Sequence, residues 1–234
     1  MKKAGVVVLL LLVLAVGAPV YADSEAEAQA RVVHATPDAP KVDVYLDKVL
    51  VVKALDFTEA GQYISLSPGL HTLSIFPEGD TDTALVTDEV TVEAGHHYTL
   101  AAIGEVEAMS IAKLVDDQTT SAGKTKLRVA HFSPLSPALS VTTTEGEVLF
   151  PELIFPTTAS YLEVTPGSYS LQIKEPAALL ELVEAELKPD TVYTALAVGA
   201  NAAGEGVTVI LLTDYMPLPA ELPKTGLGGA SPTM

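Results

Sequence analysis

By residue type and spacing, the strongest candidates for chemistry are two acids flanking a turn, Asp38 and Asp43. A carboxylate pair can share acid–base work or ligate calcium. Asp38 stands in a Pro-flanked turn, and the alternation of Val42, Val44 and Leu46 puts Asp43 on the wet face of a strand, so turn and surface roles compete with chemistry. Glu78, Asp80 and Asp82 cluster in a Gly-containing loop and form a second candidate calcium site, although the spacing lacks the full EF-hand pattern. His96 and His97 are adjacent, which on a strand points them to opposite faces and argues against a joint metal site. His34 and His131 each follow an Arg by three residues (Arg31, Arg128) and precede a Pro-containing turn. They could act as ligands or bases. A hydrogen-bonded His fixing a strand against its turn is the expectation, with each Arg pairing to a carboxylate or carbonyls inside its own domain. Tyr45, Tyr63, Tyr98, Tyr161 and Tyr193 could make a sugar- or protein-binding face. No nucleophile elbow, zinc-protease helix, P-loop or dinucleotide fingerprint is present. The expectation is a protein that is not an enzyme, with no catalytic residue and no cofactor, calcium being the one cation left open.

The rest of the chain bounds these candidates. A net charge of −17 with 13 Lys and Arg leaves no basic footprint for nucleic acid, and it disfavours docking on anionic membranes. Cysteine is absent, which removes disulfides, thiolate chemistry and Cys-based zinc sites. Lys2-Lys3, an apolar run from Ala4 to Ala18, and Val20-Tyr21-Ala22 before Asp23 form the three parts of a secretory signal peptide. The run is short of the ~20 apolar residues of a spanning helix. Cleavage after Ala22 removes two lysines and no acids, taking the charge from −17 to −19. No later segment is long and apolar enough to predict a transmembrane helix. At the other end, Leu222-Pro223-Lys224-Thr225-Gly226 resembles the sortase recognition motif of Gram-positive cell-wall proteins. Eight residues follow Gly226, without the apolar stretch and basic tail that a working signal needs, so wall anchoring stays open.

Between these ends the chain repeats itself. Arg31-Val32-Val33-His34-Ala35-Thr36-Pro37-Asp38-Ala39-Pro40 returns as Arg128-Val129-Ala130-His131-Phe132-Ser133-Pro134-Leu135-Ser136-Pro137. Phe57 to Ile75 aligns with Phe155 to Ile173, matching Tyr63 with Tyr161 and Pro68-Gly69 with Pro166-Gly167. Tyr98-Thr99 and Gly104 match Tyr193-Thr194 and Gly199. The matched Tyr63/Tyr161 and Tyr98/Tyr193 are expected to pack rather than bind. A repeat of about 90 residues is domain-sized. Within each copy, apolar and polar residues alternate over short runs broken by turn residues, predicting about seven strands. The fold class is therefore all-β, two tandem antiparallel β-sandwich (immunoglobulin-like) domains. The expected organisation is a signal peptide over 1–22, a flexible lead over 23–29, a first β domain over 30–115, a linker over 116–126, a second β domain over 127–214, and a Pro/Gly-rich tail over 215–234. Pro176 to Leu187 is Ala/Leu/Glu-rich, but the first copy places a strand there, so a strand after an initial loop is predicted.

At Arg31 to Pro40, followed by Val42-Asp43-Val44-Tyr45, the sequence resembles the family named Domain of Unknown Function 4397, whose copies open with a similar segment. The Tyr63 and Pro68-Gly69 region is also similar. The resemblance implies a secreted or surface β-rich domain, often in tandem, with no assigned activity or site. It covers about Ala30 to Val115 and, more weakly, Lys126 to Asp214. In the second copy Leu135 replaces Asp38, and Leu139-Ser140-Val141-Thr142 replaces Val42-Asp43-Val44-Tyr45. A function that needs those groups is confined to the first copy.

The expected function is a secreted or cell-surface binding, adhesive or structural module, with an extracellular protein or glycan as partner. The alternatives are a calcium-stabilised scaffold and a carboxylate-dependent extracellular hydrolase.

Overall fold

Period-two alternation over short runs resolves, among the described residues, into sixteen strands, eight in each copy. In the first unit these are β1 (Ala28–His34), β2 (Val42–Leu46), β3 (Val49–Leu55), β4 (Ile64–Leu66), β5 (Gly69–Pro77), β6 (Val86–Val92), β7 (His97–Ile103) and β8 (Ser110–Asp116). In the second they are β9 (Thr125–His131), β10 (Leu139–Thr143), β11 (Val148–Leu153), β12 (Leu162–Val164), β13 (Gly167–Glu175), β14 (Ala178–Leu187), β15 (Thr191–Gly199) and β16 (Val207–Tyr215). This computed structural model describes residues 26–176, 178–199 and 206–217. The signal-peptide pattern and the Leu222 to Gly226 motif lie outside the described residues. Among the described residues, no helix is long and apolar enough to cross a membrane.

Each unit is two four-stranded sheets. The first unit has sheets ordered β4-β1-β7-β8 and β3-β2-β5-β6, and the second repeats them as β12-β9-β15-β16 and β11-β10-β13-β14. The predicted tandem all-β sandwiches are present, with one difference from a purely antiparallel design: β1 runs parallel to β7, and β9 parallel to β15. A parallel pair needs a long crossover, and here the whole intervening chain of each unit supplies it.

The reason for those parallel strands lies in their burial. Three apolar clusters separate four stacked sheets. One fills the first sandwich (Val32, Val44, Leu73, Leu100) and one the second (Val129, Val141, Ile173, Tyr193). The third joins the units, mixing Val33, Ala101, Ile103 and Leu114 of the first with Phe132, Leu196, Val198 and Leu212 of the second. The two inner sheets thus lie back to back. Successive residues of β1 and the position just after it serve different cores: Ala30 and Val32 face their own sandwich, and Val33 and Ala35 face the other unit. Strands covered on both faces read as near-continuous apolar runs, and β15 (Thr-Val-Tyr-Thr-Ala-Leu-Ala-Val-Gly) is buried at every position.

Two boundaries differ from the sequence expectation. The lead read over 23–29 overlaps β1, because Ala28 and Ala30 are buried against β4 and β7. The segment read as linker from 116 to 126 loses both ends to strands: Asp116 closes β8 and is buried, and Thr125-Lys126 open β9. The predicted strand within 176–187 is β14.

The matched glycines Gly104 and Gly199 follow β7 and β15 with φ of +92° and +95°. A Cβ on Gly104 would sit 2.8 Å from the Ala108 carbonyl oxygen, so backbone sterics explain why both copies keep glycine there.

Candidate functional site

The polar residues that recur in both copies meet where the two units join. Arg31 leaves β1 on the face turned to the second unit. Its Nη2 donates to Asp214 Oδ1, its Nη1 to the Thr213 carbonyl oxygen at 2.8 Å, and its Nε to Thr99 Oγ1 at 3.0 Å. Arg128 repeats this from the other side: Nη2 to Asp116, Nη1 to the Val115 carbonyl at 2.7 Å, Nε to Thr194 Oγ1 at 2.7 Å. Each Asp has its second oxygen filled from its own unit. Tyr63 and Thr99 hydroxyls donate to Asp116 Oδ2 at 2.6 and 2.7 Å, and Tyr161 and Thr194 to Asp214 Oδ2 at 2.6 and 2.5 Å. The guanidinium carbons lie 4.7 Å from the Tyr63 ring centroid and 4.5 Å from that of Tyr161, within cation–π range. The result is a pseudo-twofold seam of four matched pairs: Arg31/Arg128, Tyr63/Tyr161, Thr99/Thr194 and Asp116/Asp214.

The expectation that each Arg pairs inside its own domain is corrected here: its carboxylate partner comes from the other unit. The seam carries two cations and two anions, so its formal charge is zero. Burial raises the Asp214 carboxyl, Asp116 nearby adds to this, and Arg31 opposes it. Burial and the neighbouring Asp also push both phenols well above the ordinary tyrosine value, which keeps Tyr63 and Tyr161 protonated as donors. Taking four charges out of water is costly, so the geometry rewards correct docking of the two units more than it adds net stability.

The two aspartates were missed by sequence reasoning. A signal was available: Leu114-Val115-Asp116 and Leu212-Thr213-Asp214 stand at the end of the last strand of each copy.

His34 and His131 behave as a repeated hydrogen-bonded pair. Each is fully buried, with Nε2 3.0 Å from the Pro40 or Pro137 carbonyl oxygen and Nδ1 accepting the N–H of Thr36 (3.4 Å) or Ser133 (3.3 Å). That pattern assigns the neutral tautomer with the proton on Nε2. Phe57 and Phe155 pack edge-on to the two rings. Burial pushes both imidazoles below their ordinary value, with the proline carbonyls opposing. An imidazole with a lowered folded value contributes stability above its unfolded value, near 6.5, and loses it as the pH falls through that value. His71 acts in the opposite sense. Burial lowers it, but Asp47 and the Ser67 carbonyl outweigh burial, so its stabilisation is complete at low pH and fades as the pH rises. In a His71→Gln background, urea titrations from pH 8 to pH 5 should therefore show a stability loss below about pH 6.5, at most about 1.4 kcal/mol per unit for each imidazole. A flat profile would show that His34 and His131 are not held neutral.

The acidic candidates scatter. Asp43 keeps the outward parity expected of its strand, yet it is 3% exposed. A bulge at Ala54 (φ +52°) and the turn after β5 fold over it, and its oxygens accept the N–H groups of Ala54 at 2.8 Å and Gly79 at 3.0 Å. The water-facing role expected of it is corrected to a tie between these backbone segments, and the N–H groups of Gly79 and Ala54 hold its carboxyl below the usual carboxylate range. Asp43→Ala should cost about 1–3 kcal/mol, read from the urea midpoint, because it strips two donors of their acceptor. Asp38 instead caps the Val106 N–H at 3.0 Å, on the inner-sheet side of the sandwich. Asp80 closes its own loop through the N–H groups of Asp82 and Thr83. Among the described residues, no group of three or more acidic or histidine side chains has metal-binding geometry. His96 precedes β7, is exposed and turned to the Ala94 carbonyl, while His97 opens β7 and packs against Tyr63. Tyr98 and Tyr193 are buried, and their hydroxyls accept the N–H of Glu93 and of Lys188.

Fold and seam together define a protein of two tandem all-β sandwiches joined through their inner sheets. Residues 28–142, from the start of β1 into β10, match the family model described as Domain of unknown function (DUF4397), which supports membership of that family. Among solved structures, a chain described as the Bacillus anthracis TIE protein is similar, at 10% identity and a TM-score of 0.25 over 80% of this chain and 44% of that one. The chain thus spans less than half the length of that structure. No curated protein matches the chain.

Proposed function

We propose that this chain is a secreted, non-catalytic module in which a domain of this family and a diverged second copy are welded into one rigid body that serves as a binding or structural element outside the cell. The observation that carries the reading is the seam. The Arg, Tyr, Thr and Asp groups that recur in both copies are bonded to one another across the unit boundary, and the recurring histidines are bonded to their own turns. The residues retained twice are thus used to hold the molecule's shape. Equivalent sheet orders and equivalent bonds favour common descent of the copies. The signal-peptide pattern at Lys2 to Ala22 supports export, and the acidic surface suits a soluble, unaggregated extracellular protein.

Fractionation of the source cells, with N-terminal sequencing of the product, tests this. Recovery outside the cytoplasmic membrane with Asp23 as first residue is the expected result, and a cytosolic product beginning at Met1 would sink the reading. Turnover of a polysaccharide or ester that is lost in Asp38→Ala would replace it with the hydrolase alternative. A fall in melting temperature on adding a calcium chelator would favour the calcium-stabilised scaffold.

A further inference from the structure

The outer sheet of the first unit carries an aromatic-floored cleft; the hollow of about 360 Å³ over the matching sheet of the second unit, lined by Ser140, Val148 and Lys174 among others, has no aromatic side chain. The floor of the cleft is Tyr45 on β2 and Phe76 on β5, outward-facing residues on paired strands, with ring centroids 5.3 Å apart and planes at 78°. Lys48, Ser74 and Thr81 complete a hollow of about 230 Å³. The surrounding structure fixes each wall. Asp47 and Lys48 both take positive φ (49° and 68°) in the two-residue turn between β2 and β3, which sets Lys48 at the rim. Asp43 holds Gly79, and through it the loop that presents Thr81. Asp47, the acid next to Lys48, directs its two oxygens to His71 and the Thr72 N–H. Ser74 Oγ accepts the Thr87 hydroxyl at 3.0 Å and keeps its own proton to donate. In the second unit Thr142 and Lys174 stand in place of Tyr45 and Phe76, and Ser140 in place of Asp43.

We propose that this cleft binds one ring of a neutral saccharide chain. Two aromatic rings offer apolar surface to the C–H face of a pyranose, while Lys48, Ser74 and Thr81 supply donors around the edge to its hydroxyl and ring oxygens. The volume is below that of a drug-sized site and suits a single ring of an extended chain. Charge selects the occupant further. The chain carries −17, and Asp80 and Asp82 flank Thr81, so an acidic glycan or nucleic acid would be repelled from the rim. The site rests on the reading of the chain as an extracellular module and supplies its ligand class.

Calorimetric titration of the full chain with cellotetraose and chitotetraose, with tetragalacturonate as the acidic counterpart, tests the site. A neutral tetrasaccharide should bind, Tyr45→Ala and Phe76→Ala should each weaken it about tenfold, and Thr142→Ala and Lys174→Ala in the second unit should leave it unchanged. Tyr45 and Phe76 lie on the outer face, so melting temperatures should hold and a binding loss cannot be read as unfolding. Absence of heat with both neutral oligomers, affinity that survives both aromatic substitutions, or a preference for tetragalacturonate would each overturn the proposal. Such a failure with the protein still found outside the cell would discard the site alone, whereas cytosolic recovery would discard the extracellular reading whatever the titration gives.

Discussion

Arg31→Met should lower the unfolding free energy by about 3–5 kcal/mol, because it leaves the Asp214 carboxylate buried without its cation. The loss is large since water does not reach Asp214 to replace the guanidinium, and Thr213 loses a hydrogen-bonding partner in the same step. The double variant Arg31→Met/Asp214→Asn should cost much less than the sum of its single changes, since the second substitution removes the stranded charge. Urea denaturation of the four proteins of this cycle at pH 7 gives the coupling directly. Additive losses would mean that the two residues do not share a dry environment, and the seam would then be a surface contact. Because Arg128 and Asp116 repeat the arrangement, Arg128→Met should behave alike.

The second large effect belongs to Phe132, a side chain 1% exposed in the cluster between the units. Phe132→Ala should cost about 3–5 kcal/mol through lost burial and the cavity left behind. Its signature distinguishes a welded pair from two independent beads. With the inner sheets back to back, both units should melt in one calorimetric transition, and the whole transition should move down in the variant. Two transitions, with only one displaced, would show that the units fold separately. The same cluster disfavours pairing of like with like. At matched positions the first unit has Ala35 and Ala101 where the second has Phe132 and Leu196, and Val33 faces the reverse choice in Ala130. Pairing two second units would bring the bulky set against itself, and overpacking a filled core is costly.

The amino-acid sequence by itself determined the all-β class, the tandem copies and most strands, because those follow from local signals: period-two alternation, Pro-Gly turns and matched blocks. It also marked Arg31/Arg128, His34/His131 and Tyr63/Tyr161 as recurring polar positions, and placed the histidines against their turns, since that contact lies within six residues in the chain. Partner identity across long separations was decided only in three dimensions. Arg31 and Asp214 are 183 residues apart, and nothing local says that the inner sheets lie back to back or that the carboxylate for one copy's Arg comes from the other. Asp43 shows the same limit on a smaller scale. Alternation gave its face correctly, but a left-handed residue at Ala54 and a turn at Gly79 close over that face, and burial depends on what covers a strand as well as on which way its residues point.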